Sequence, residues 1–222
     1  MPHWLQHPTY FPWAVVCIIS MLVLLFAEHR NNLRLRAASK SIASTAFLAA
    51  ALTMDPLGSP WAQWATAGLA LSVVGDLALL APAAGRWFIA GVGAFGLAHA
   101  AYLCAFLCLG IEPGISIIAI ALFGPIGAWL YRWLAPDVPP KLKRPVMAYI
   151  AIISGMVAVA LGAAGQNHSL WFIALAAVLF MLSDVGVAMQ RFKGAGFSTK
   201  AWTLPLYFVA QLMFAWLTSI SI

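Results

Sequence analysis

Long apolar runs alternate with short connections along the whole chain, and all 12 Lys and Arg residues fall in or beside every second connection. Crossing the roughly 30 Å hydrocarbon layer of a bilayer takes about 20 helical residues. Cutting the runs at charges and at Pro/Gly clusters gives spans over residues 11–27, 37–54, 62–81, 87–109, 114–133, 145–164, 169–189 and 203–221. Arg30, Arg34, Arg36 and Lys40 then lie around the first connection and Arg86 in the third. Arg132, Lys141, Lys143 and Arg144 bracket the fifth, and Arg191, Lys193 and Lys200 lie in the seventh. The even connections, around MDPLGSP, LGIEPG and AAGQNHS, carry no Lys or Arg. A wrong helix count would have scattered these charges over both faces. Under the positive-inside rule the odd connections are cytoplasmic and both termini lie on the opposite side.

Composition points the same way. Of the 222 residues 64% are hydrophobic and 8% charged, against about 25% charged in a soluble domain. The reading is an all-α, polytopic transmembrane bundle of eight helices, forming a single transmembrane domain over residues 1–222. The net charge of +6 sits in short loops, which suits contact with anionic membrane lipids and not with nucleic acid. Cys17, Cys104 and Cys108 fall inside apolar runs and read as buried small hydrophobes. MPHWLQHPTY lacks the basic start of a cleavable signal peptide. Seven tryptophans, Trp13, Trp61, Trp64, Trp87, Trp133, Trp171 and Trp202, fall near span ends, as an interfacial aromatic belt requires. LSVVGDLALL in the third span and VLFMLSDVGVAM in the seventh are four spans apart, suggesting a weak 4+4 parallel repeat.

Those two segments hold the most informative residues. Glu28, Asp55, Glu112 and Asp137 sit in or beside connections, where water solvates them, but Asp76 and Asp184 lie inside spans. A charged side chain at mid-membrane costs about 2.5–3.5 kcal/mol even on insertion scales, and such groups face a bundle interior and a partner. Helix rise puts both acids roughly 10 Å below the cytoplasmic surface, on spans running in the same direction. They could therefore share one inward-opening cavity. The bland alternative is a structural hydrogen bond for each, with Ser72 one turn from Asp76. Further polar groups are few: His99 with Tyr102 on one face of the fourth span, Tyr207 with Gln211 on one face of the eighth, and Lys40 at the start of the second. Ser41, Ser44, Thr45 and Tyr149 are weaker candidates.

The series LSVVGDLALL, WFIAGVGAFGLAHAAY, FMLSDVGVAMQRF and LPLYFVAQLMFAW resembles the YhhN-like membrane proteins, the lysoplasmalogenase family. The likeness runs from about residue 30 onward. It implies an enzyme of a bacterial inner (plasma) membrane that hydrolyses the vinyl ether bond of lysoplasmalogens, single-chain lysophospholipids, to a fatty aldehyde and a glycerophospho-alcohol. It carries the family's acids onto Asp76 and Asp184, its histidine onto His99, its tyrosines onto Tyr102 and Tyr207, its glutamine onto Gln211 and its early lysine onto Lys40.

Vinyl ethers yield to acid, so the chemistry calls for one protonated carboxyl and one carboxylate. Burial favours a neutral acid, and two neighbouring acids carry one charge more readily than two. Which aspartate takes which part is open at this stage. No cofactor is called for, and two Asp with one His are a thin ligand set for a metal. Three rival classes share the buried acids. An intramembrane aspartyl protease would show GxGD where this chain has VVGD, a proton-coupled transporter or channel would use the acids as a proton path, and a structural membrane protein would use them as helix contacts.

Overall fold

A computed structural model describes residues 9–81 and 85–219. Within them the chain forms eight helices: α1 (Tyr10–His29), α2 (Leu33–Leu52), α3 (Pro60–Ala78), α4 (Arg86–Cys108), α5 (Pro113–Leu134), α6 (Lys143–Gln166), α7 (Trp171–Phe192) and α8 (Phe197–Leu217). Short 3-10 turns precede α6 and α7, and the described residues contain no strand. The reading of the amino-terminal residues 1–8, and the last two positions of the eighth expected span, lie outside the described residues.

Local chemistry sets where the helices begin. Asn32, Ser59 and Glu112 each accept a hydrogen bond from a backbone N–H in the first turn of α2, α3 and α5, satisfying a donor that would otherwise be orphaned. Pro60 and Pro113 follow two of these caps, where proline needs no partner for its missing N–H. The largest departure from the expected spans is α8, which starts at Phe197 instead of 203. FSTK reads as a connection because it is polar, but Lys200 extends to the Glu28 carboxylate at the helix bundle's edge, so the polar turn belongs to the helix.

Five helices, α1, α4, α5, α6 and α7, are long and apolar enough to cross a membrane by length and composition. The other three, α2, α3 and α8, carry Lys40, Ser44, Asp76, Tyr207 and Gln211. Their lower hydropathy is thus the cost of side chains that face other helices. This is a multi-pass membrane protein built as a helical bundle.

The basic connections lie together. Lys200 joins Glu28, Arg36 Nη2 donates to the Leu80 carbonyl at 3.3 Å, Lys193 pairs with Asp137, and the Arg191 guanidinium lies 4.2 Å from the centre of the Phe88 ring. Each contact ties one odd connection to another, so all four are at one end.

Helices α1–α2, α2–α3 and α3–α4 pack as neighbours, and so do α5–α6, α6–α7 and α7–α8. Helix α8 packs on α2 as α4 packs on α6. Shifting each label by four maps these relations onto one another, as a parallel repeat requires. The halves differ at α1, which packs on α8 as well as α2, while α5 leans on α6 and presents most of its surface outward.

Two expectations are corrected. Trp61 is buried in the core cluster and is no belt residue, whereas Trp64, Trp87 and Trp171 are exposed. Cys17 is buried as expected, but Cys104 is half-buried and Cys108 exposed, because α4 turns that face outward. At the centre Phe180 meets the rings of Phe95 and Tyr102 edge-on and those of His99, Tyr207 and Phe214 at a tilt.

Candidate active site

Asp76, on α3, is 2% exposed. Helix α2 brings Lys40 Nζ to 3.0 Å from its Oδ1, and Ser44, one turn further along the same helix face, donates to Oδ2 at 2.5 Å. Tyr207 of α8 donates to the same Oδ2 at 2.7 Å. Three donors, one of them cationic, converge on this carboxyl group, an arrangement matched to its charged form. Ser72 takes no part: its hydroxyl donates to the Gly68 carbonyl at 2.9 Å.

Asp184, on α7, has different company. Tyr149 of α6 donates to its Oδ2 at 2.8 Å. His99 of α4, fully buried, holds Nδ1 at 2.6 Å from the Phe95 carbonyl. A carbonyl can only accept, so Nδ1 carries the hydrogen and Nε2 is left to face outward from it. Nε2 lies 3.3 Å from Asp184 Oδ2 without the alignment of a hydrogen bond. Two acceptors at that distance invite one proton between them. The Asp184–His99 pair can therefore hold a transferable proton in a way that the Asp76 cluster, saturated with donors that keep their own hydrogens, does not.

Both acids line one cavity of about 1020 Å³, together with Lys40, Tyr149 and Tyr207. Its wall is largely apolar along α4, α5 and α6, and its basic-end mouth is lined by Glu28, Arg36, Arg191 and Lys200. His99 touches Asp184 from behind and does not line the cavity. Tyr102 and Gln211 form a separate layer: Tyr102 donates to Gln211 Oε1 at 2.7 Å, and Gln211 Nε2 donates to Ser72 Oγ at 3.3 Å. Both are fully buried and absent from the cavity lining. Of the eight residues singled out from the sequence, two are the carboxylates, four, Lys40, His99, Tyr149 and Tyr207, gather around them, and two brace the helices beside them.

Residues 35–218 match the model of the YhhN family. The chain belongs to the YhhN family. Among curated relatives it is similar to human "Lysoplasmalogenase TMEM86B", 32% identical over 160 residues, covering 72% of this chain and 65% of the relative. It is also similar to "Lysoplasmalogenase" of Mycobacterium bovis, 34% identical over 149 residues, covering 65% of this chain and 56% of the relative. Human "Lysoplasmalogenase TMEM86A" is 27% identical over 164 residues, 72% of this chain and 66% of the relative. The matched part spans 65% of the length of the human TMEM86B relative and 56% of the mycobacterial one. No solved structure matches the chain.

In this YhhN chain the Glu28 side chain is not the solvated loop acid that its position suggests. It is 13% exposed and pairs with Lys200 Nζ at 2.6 Å and Arg36 Nε at 3.9 Å. Its partner lies 172 residues away, a contact that no local pattern announces. Ser44 did carry a signal, since it stands four residues from Lys40 and hence on the same helix face.

Proposed function

We propose that this YhhN protein is a lysoplasmalogenase, hydrolysing the vinyl ether bond of 1-alkenyl-glycerophospho-ethanolamine or -choline to a fatty aldehyde and a glycerophospho-alcohol, with the whole chain acting as one membrane domain. The observation that carries this reading is that Asp76 and Asp184 line one cavity with different partners, a lysine and two hydroxyl donors around one, a tyrosine donor and an imidazole nitrogen at 3.3 Å beside the other. The relatives' names supply the substrate.

The cavity suits a single-chain lipid, with apolar walls along α4 to α6 for the chain and a basic mouth for the headgroup. In the proposed reaction the proton held between Asp184 and His99 goes to the vinyl carbon beta to the ether oxygen, giving an oxocarbenium ion. The Asp76 carboxylate, held in place by Lys40, Ser44 and Tyr207, stabilises that positive charge. Water adds to the cationic carbon and returns its proton to Asp184, which closes the cycle. The neutral hemiacetal then collapses to aldehyde and alcohol. Asp184 thus serves as acid and then as base, a division of labour like that of paired glycosidase carboxylates. Tyr149 orients Asp184. By the positive-inside rule the mouth faces the cytoplasm, so substrate enters from the inner leaflet of a bacterial inner membrane.

Purified protein in detergent should release aldehyde from lysoplasmalogen. Uptake of substrate into sealed vesicles, with no aldehyde formed, would instead assign the buried acids to a transporter.

A further inference from the structure

We propose that Arg191, with Arg36 and Lys200 lining the same cavity, forms a subsite for the phosphodiester of the lipid headgroup; this rests on the lysolipid reading of the cavity above. Arg191 is seven residues beyond Asp184 on α7, and residues at that spacing share a helix face two turns apart. Its backbone lies about 10 Å nearer the mouth by helix rise. On α2, Arg36 stands in the same relation to Lys40, one turn closer to the mouth. Both guanidinium groups and the two acids line the same cavity.

Charge around the mouth is unbalanced. Among the described residues that line this mouth Glu28 is the one carboxylate, and it answers both Arg36 and Lys200. Arg191 has no carboxylate within ion-pair distance among the described residues. It is held instead by the face of Phe88, 4.2 Å from the ring centre. That contact fixes the guanidinium plane while leaving its N–H donors for another group. Three cations against one carboxylate leave an excess that a phosphodiester neutralises, and a planar donor fork matches two phosphate oxygens. A lipid with its phosphate at this level and its glycerol backbone below it carries the vinyl ether down to the carboxylates.

The test is a binding measurement in detergent with two saturated, uncleavable ligands of equal chain length: 1-alkyl-glycerophosphoethanolamine and 1-alkylglycerol, which lacks the phosphate. Wild-type protein should prefer the first. In Arg191→Met that preference should fall about tenfold, and in Arg191→Lys, which keeps the charge, it should fall less. A preference equal to wild type in both variants overturns the proposal, as does an equal preference of the wild type for the two ligands. Neither ligand is hydrolysed, so the result is independent of turnover. A protein that binds the phosphate through Arg191 yet releases no aldehyde would keep this subsite and remove the hydrolytic reading.

Discussion

Tyr207 lies as far beyond His99 in the chain as Asp184 lies beyond Asp76, and each contacts one of those acids across the bundle. Both intervals, 207 less 99 and 184 less 76, are 108 residues. Tyr207 of the second half donates to Asp76 of the first, and His99 of the first half approaches Asp184 of the second. The two halves therefore complete each other's site. The same register holds a phenol at one place and an imidazole at the other, so two carboxyl groups in similar frames have different partners.

The Tyr207 hydroxyl is expected to matter to chemistry, and the Tyr102 hydroxyl to stability. Tyr207→Phe removes a donor from Asp76, which should lower kcat by roughly tenfold or more, as losing a hydrogen bond to a charged group of about 1.5–3 kcal/mol implies. Tyr102→Phe leaves Gln211 Oε1 unsatisfied away from the cavity, which should destabilise by about 1–3 kcal/mol. Kinetics and thermal unfolding of the two variants side by side check this. A larger kcat loss in Tyr102→Phe than in Tyr207→Phe would reverse the assignment.

Lys40 and Asp76 form a pair in which the lysine side chain is 16% exposed and the aspartate 3%. Removing the lysine alone leaves a nearly buried charge without its cation, a loss of up to about 3 kcal/mol. Lys40→Met should therefore lower the unfolding temperature, and adding Asp76→Asn in the same chain should recover part of it. Stability losses that simply add in the double variant would show that the pair is not coupled.

Phe180 is fully buried at the meeting point of five rings. Phe180→Ala should cost about 3–5 kcal/mol, because rings from α4 and α8 lose their common neighbour on α7. Thermal unfolding in detergent measures it. A small loss would mean that the surrounding rings close the gap.

Helices α7 and α8 meet closely at Gly186. A Cβ there would lie 1.8 Å from Thr203 Cγ2, so Gly186→Ala must push α8 away or turn Thr203 off its bond to the Thr199 carbonyl. The expected loss is about 1–3 kcal/mol, read as a drop in unfolding temperature. Gly93→Ala, where a Cβ meets nothing within 4 Å, is the control.

The helices were legible because lipid demands apolar runs of fixed length and because basic residues mark one face. Asp76 and Asp184 stood out on cost alone, and His99, Tyr102, Tyr207, Gln211 and Lys40 stood out as the few polar groups beside apolar runs, onto which the family resemblance also fell. Two things were not legible. The first six residues of α8 looked like a loop, since their polar side chains are satisfied by contacts distant in sequence, as Lys200 is by Glu28. The division of the polar groups into a cavity set and a bracing set also stayed hidden: Tyr207 and Gln211 share a helix face, yet one reaches Asp76 and the other Tyr102. That outcome is decided by which neighbour each turn of α8 meets.

The most direct measurement is aldehyde release from lysoplasmalogen by wild type, Asp76→Asn and Asp184→Asn, with folding followed by thermal unfolding in the same preparations. Both variants should remain folded and lose about 10²- to 10⁴-fold in rate. Either one releasing aldehyde at the wild-type rate would contradict a reaction run by two dissimilar carboxyl groups in one cavity.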